Sequence, residues 1–222
     1  MKELNKLFER LIASESSYKV FNELLDYLLF SMCIGHHPEY ELKNPFTDCK
    51  DEKLMLAMEF YKAMGEEAEG FEDPLGEIFM EHITKGQNGQ FFTPMHICKM
   101  MAAMTMDRTD PDSQETLNDP ACGSARMFLA AASFNRNLEF NGADIDLTCC
   151  KMATINMLLN SLKATISWGD SLLNKFQFAF VTNVTEDKIP YLKFLKYDIP
   201  NKPEIVHPEL PKNPVVIQGT LF

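Results

Sequence analysis

The sequence predicts an α/β fold: helices first, then a parallel, doubly wound sheet, then a proline-rich tail. Three observations predict it. Up to about residue 83, apolar residues recur at helical spacing. Beyond Gly89, short apolar runs alternate with helical stretches, the pattern of strands joined by crossover helices. Six of the twelve prolines lie between residues 190 and 214, where fixed φ and missing N–H groups favour extended chain. The expected units are a helical domain over 1–88, an α/β domain over 89–189 and an extended tail over 190–222.

Each element has its own reason. Leu4, Leu7, Phe8, Leu11 and Ile12 form one helical stripe, and Phe21, Leu24, Leu25, Leu28 and Met32 form a second. Ser16 or Ser17 caps the second helix, and Gly35 with Pro38 ends it. Residues 36–50 read as loop. A helix over 51–64 has Gly65 as its C-terminal cap. The acidic turn 66–73 leads to a short helix over 74–83, with Pro74 in its first turn. A helix is expected over 94–106, a strand over 115–118 and an Ala-rich helix over 124–135. A strand over 138–143, a helix over 147–162 and strands over 164–168 and 177–182 follow.

Composition sets limits. The chain has 222 residues, 45% apolar and 24% charged, the balance of a soluble globular protein. No apolar run reaches the ~18 residues of a membrane span, and residues 1–9 lack a secretory apolar core. A cytoplasmic protein without membrane association is expected. Lys and Arg total 21 against 32 Asp and Glu, a net charge of −11. Such a chain has no general attraction for phosphate backbones, so contact with nucleic acid needs a basic patch or partner. Lys85, Lys99 and Arg126 supply some positive charge but no basic stripe. None of the six cysteines forms a CxxC pair, and reduced thiols are expected. Cys33, His36, His37 and Cys49 match no standard zinc spacing, so no metal site is expected. His82 and His96 read as ordinary helix residues.

The chemistry lies at the ends of the strands. Asp119-Pro120-Ala121-Cys122-Gly123-Ser124 stands between a strand and a helix. Small residues there let a ligand approach the backbone, and a helix N-terminus favours polar or anionic groups. The run is neither GxGxxG nor GxxxxGKS/T, so neither a dinucleotide fingerprint nor a P-loop is supported. Asp144, within Gly142-Ala143-Asp144-Ile145-Asp146, lies at the tip of the next strand, where an acid binds ribose hydroxyls. Asp170, within Gly169-Asp170-Ser171-Leu172, follows the third strand and is placed to accept from an adenine amine. Three acids at successive strand tips describe a nucleoside-binding crevice. Any one alone would do no more than end a strand or cap a helix.

Four segments, in this order, resemble consecutive motifs of DNA adenine methyltransferases. They are Gly89-Gln90-Phe91-Phe92-Thr93-Pro94, Asn118 to Ser124, Gly142 to Asp146, and Gly169 to Leu172. The resemblance is greatest to the modification subunits of type I restriction systems. Asp73-Pro74-Leu75-Gly76-Glu77-Ile78-Phe79 is also similar to that family, and the likeness covers about residues 70–183. It implies a Rossmann-like, class I methyltransferase sheet with S-adenosylmethionine as cofactor. By position, Phe92, Thr93 and Pro94 would close over the cofactor. Asp119 and the backbone of Ala121, Cys122, Gly123 and Ser124 would hold its methionine end. Asp144, beside Ile145, would take the ribose hydroxyls, and Asp170, beside Ser171, the adenine amine. The family carries a cysteine at Cys122 without using it as a nucleophile. Ala125 stands where the family usually has glycine.

One motif departs from the family. There, the fourth strand ends in Asn-Pro-Pro-aromatic, which accepts hydrogen bonds from a flipped adenine and stacks on it. Here Asn183, the one catalytic candidate, is followed by Val184-Thr185, without the prolines or the aromatic residue. A truncated sheet is expected, its fourth strand near an edge that the tail or a partner covers. Three functions follow from the resemblance. The chain binds S-adenosylmethionine and acts on DNA adenine, or it is a non-catalytic partner subunit, or it methylates another substrate. DNA is expected to be reached through a partner protein, within a homo- or hetero-oligomer. Gln218, Leu221 and Phe222, spaced Gln-x-x-Leu-Phe at the C-terminus, resemble the motif that docks bacterial proteins on the replication sliding clamp. The competing reading has residues 215–217 as a closing strand, with Leu221 and Phe222 in the core.

Overall fold

The computed structural model describes residues 1–13, 15–32, 42–47, 51–84, 91–106, 115–184 and 190–197. Expectations about Cys33, His36, His37, Cys49, Lys85, Gly89 and Gln90 lie outside these residues. So do those about the side chain of Asn183 and about all positions beyond 197, including Gln218, Leu221 and Phe222.

The helical half follows from its stripes. α1 (Lys2–Ile12) buries Leu4, Leu7, Phe8 and Leu11, and α2 (Ser17–Met32) buries Phe21, Leu24, Leu25 and Leu28 among others. Phe8 and Phe21 meet edge to face at 5.9 Å. α3 (Asp51–Glu67) packs on α1 and runs through Gly65. The chain turns instead at Gly70, where φ is +76°. α4 (Pro74–Ile78) has Pro74 in its first turn, and Asp73 caps it by accepting from the Gly76 N–H at 2.9 Å. A π-helical turn, Phe79–Thr84, replaces the continuous helix expected to 83.

α5 (Met95–Thr105), β1 (Thr116–Asp119), α6 (Arg126–Ala132), β2 (Glu139–Asp144), α7 (Leu147–Leu159) and β3 (Ala164–Asp170) follow in the expected order. β1, β2 and β3 pair in parallel. Parallel strands in the order β1-β2-β3 are joined by crossovers stepping the same way, for which the right-handed rule expects α6 and α7 on one face of the sheet. Phe128 of α6 lies 5.2 Å from Phe140 of β2. Gly142 lets that layer close, since a Cβ there would come within 3.0 Å of Cys122 Sγ, Ile166 Cδ1 and Phe128 Cε2.

The last two strands correct the expectation of a wholly parallel sheet. β4 (Lys175–Val184) runs antiparallel to β3, and β5 (Pro190–Lys196) antiparallel to β4, in the order β1-β2-β3-β4-β5. The physical reason is the length of the connection. Residues 171–174 can close a hairpin, whereas a parallel crossover needs about a dozen residues or more. β5 covers the edge of β4, so the start of the expected tail is a strand of the sheet, with Pro190 at its first position.

The reversal decides what reaches which end. Asp119, Asp144 and Asp170 end β1, β2 and β3 on the same side. Thr182 pairs with Ala164, at the start of β3. Asn183, one residue further on, therefore lies at the opposite end, roughly 20 Å from Asp170 at ~3.3 Å per residue. A single buried core runs from α1–α4 into the sheet. α2 is pinned to α7 by the Lys151–Asp26 ion pair at 2.6 Å.

Candidate functional site

At the ends of β1 and β2, the turn over 120–125 borders a cleft of about 320 Å³. Phe92, Thr93, Asp119, Ala121, Cys122, Gly123, Ser124, Asp144 and Ile145, all expected there, line it. Pro94, Asp170 and Ser171 are placed otherwise. Pro94 caps α5. Asp170 accepts from the Leu173 N–H at 2.9 Å and so braces the hairpin, while the Ser171 hydroxyl donates to the Pro120 carbonyl at 2.9 Å.

The turn has unusual backbone. Gly123 has φ +53°, with the Phe92 ring 3.0 Å from where a Cβ would stand. Ala125 is buried at φ +72°, in the left-handed region that costs a residue with a Cβ about 1 kcal/mol. Local bonds hold it. The Cys122 N–H donates to the Ala143 carbonyl at 2.9 Å, tying the turn to β2. Asp144 Oδ2 accepts from the Gly123 N–H and Oδ1 from the Asp146 N–H, both at 2.9 Å. Asp119 Oδ1 accepts from the Ala121 N–H at 3.0 Å. Both acids thus brace the turn, and their oxygens retain lone pairs for a ligand.

Burial pushes both carboxyls above the ordinary range. For Asp119 the Ala121 N–H pulls back and the charge of Asp144 pushes further. For Asp144 the Asp146 and Gly123 N–H groups pull back, and the charge of Asp146 pushes up. Two desolvated carboxylates in one cleft favour a ligand that brings positive charge and donors. The cation in the wall, Arg126, is already engaged, donating from Nε to Asp73 and from Nη2 to Glu77, each at 2.7 Å. Burial also pushes the Cys98 thiol up to about 11 and the Cys122 and Cys149 thiols upward. They stay neutral at physiological pH and unsuited to nucleophilic attack.

Behind the turn lies a cluster that the sequence reading missed. Asp73 is 3% exposed. It accepts from Ser124 Oγ at 2.5 Å, Arg126 Nε at 2.7 Å, Asn156 Nδ2 at 2.8 Å and the Gly76 N–H at 2.9 Å. Asn156 also donates to the Ser124 carbonyl at 2.8 Å. The Ser124 hydroxyl is therefore committed to protein. Arg126, expected as charge on the cleft face, is 6% exposed, and Lys99 pairs with Glu72. The available signal was Asp-Pro at a helix start, which marks Asp73 as a cap but says nothing of its distant partners.

The family model for N-6 DNA methylase matches residues 72–189. Over 107 residues the chain is 30% identical to the type I restriction enzyme MjaVIII methylase subunit of Methanocaldococcus jannaschii. That alignment covers 46% of this chain and 18% of the relative. Among solved structures, a Listeria monocytogenes protein assigned to the class I S-adenosylmethionine-dependent methyltransferases has a TM-score of 0.53 at 17% identity. It covers 77% of this chain and 53% of its own. The type I restriction-modification system methyltransferase subunit of Streptococcus thermophilus aligns at a TM-score of 0.41 and 18% identity. That alignment covers 76% of this chain and 39% of the other. The chain spans about half or less of the length of these relatives.

Proposed function

We propose, because this chain belongs to the N-6 DNA methylase family, that its cleft binds S-adenosylmethionine and that a partner protein supplies the groups that hold the target adenine. The cleft fits the cofactor. Its ammonium and ribose hydroxyls need acceptors, which Asp119 and Asp144 provide, and its positive charge suits two desolvated carboxylates. The missing Cβ of Gly123 leaves room at the turn where a side chain would press on Phe92. When bound, the cofactor supplies an electrophilic methyl group.

The chain's own residues do the holding. Asp119 and the backbone of the turn face the methionine end, Asp144 the ribose, and Phe92 and Thr93 form the opposite wall. Ile145, 70% exposed at the rim, offers apolar surface for the base. Asp170 is left out of this assignment, since it braces the hairpin away from the cleft lining.

The observation that carries the partner reading is the reversal of β4. Asn183 stands at the end of the sheet remote from the cleft, and no proline or aromatic residue follows it directly. A net charge of −11 gives no attraction for DNA either, so the partner supplies both base pocket and basic surface. Transfer of tritiated methyl groups to duplex DNA tests this. Pure protein is expected to transfer none, and protein with its co-purifying partners to transfer to adenine. Robust transfer by the pure chain would refute the partner. The same acidity favours, as a second reading, an acceptor other than DNA. RNA and small-molecule acceptors in the same assay separate the two.

A further inference from the structure

Asp73 and Arg126 touch both walls of the cleft from behind. On one side, Asp73 is tied to Ser124, directly through its hydroxyl and through Asn156, which donates to both Asp73 and the Ser124 carbonyl. On the other, Arg126 Nη1 donates to the Thr93 carbonyl at 3.4 Å. Its guanidinium lies 5.5 Å from the Phe92 ring, which stacks in turn on Phe79 at 5.5 Å. The remaining nitrogen, Nη2, reaches Glu77, on the helix that Asp73 caps. One buried ion pair thus links α4, the turn over 121–125 and the 92–93 segment. Gly76 permits the approach, because a Cβ there would strike Asp73 Oδ2 and come within 2.8 Å of Ser124 Oγ.

We propose that Asp73 and Arg126 are positioning residues, which hold the two walls of the cleft in register without touching the cofactor. The turn needs such support, since Ala125 sits in a conformation its own Cβ disfavours. The effect on binding rests on the S-adenosylmethionine reading above, whereas the bracing rests on the contacts alone.

Three variants of the full chain test it: Asp73→Asn, Ser124→Ala, and Asp26→Asn as a control. The control breaks the Lys151 ion pair between α2 and α7, outside the cleft. Each is followed by melting, by hydrogen exchange of the amides over 92–93 and 121–126, and by titration with S-adenosylmethionine. Asp73→Asn is expected to speed exchange in both segments by about tenfold and to weaken cofactor binding by about tenfold or more. Ser124→Ala should do so more mildly, at the turn alone, and it carries the test if Asp73→Asn does not fold. Asp26→Asn is expected to lower the melting temperature with affinity kept within about twofold. Unchanged exchange in a folded Asp73→Asn protein would overturn the proposal, as would an equal loss of affinity in the control. If the wild type binds no S-adenosylmethionine, the cofactor reading fails, and the exchange rates still decide whether the pair holds the walls.

Discussion

Burial raises the pKa of both Asp119 and Asp144, because desolvation penalises their charged forms. A carboxyl whose folded pKa lies above its unfolded value favours the fold most when protonated. That contribution is full below the ordinary 3.8 and is lost as pH rises through the raised value. Asp119→Asn keeps an oxygen for the Ala121 N–H and removes the charge. It is expected to melt at or above the wild-type temperature at pH 7.5, with the difference shrinking toward pH 4. Its affinity for S-adenosylmethionine should fall about tenfold to a hundredfold, through the loss of a charged acceptor. Asp144→Ala separates the two acids. It removes acceptors from two backbone N–H groups, so it should lose both affinity and about 1–3 kcal/mol of stability. Melting against titration across both variants checks the contrast.

The turn over 121–125 and the α4 cap place demands on backbone that substitution can read. Ala125→Gly relieves left-handed strain of about 1 kcal/mol and adds about as much unfolded-chain entropy. Denaturant unfolding should therefore find it within about 0.5 kcal/mol of wild type, where an ordinary helical Ala→Gly costs about 1 kcal/mol. Gly76→Ala should cost about 2 kcal/mol or more, because the methyl group lands on the Asp73 carboxylate. The helices and strands were legible because their apolar spacing is local and strong. The acids at the tips of β1 and β2 were legible because a small-residue turn follows the first. Asp170 is not in the cleft lining, and its bond to the Leu173 N–H belongs to the hairpin turn, whose reversal the spacing of strand-tip acids alone does not announce. The direction of β4 was readable from the four residues before it, had connection length outweighed the resemblance to a parallel fourth strand. The Asp73 cluster was not readable, because its side-chain partners lie 51, 53 and 83 residues away.

At the scale of the molecule, the helices before residue 72 and the family-matched region after it share one core. Lys151–Asp26, and Tyr18 with Thr148 at 3.2 Å, join α2 to α7. A fragment over 70–197 should consequently lose cooperative melting, since it bares the face of α7 that α2 covers. A sharp calorimetric transition from that fragment would show that the sheet folds without the helices. The central claim concerns the cleft. Isothermal titration of the 222-residue chain with S-adenosylmethionine tests it most directly. One saturable site is predicted, weakened about tenfold to a hundredfold in folded Asp119→Asn protein. No binding by folded wild-type protein at millimolar cofactor would contradict it.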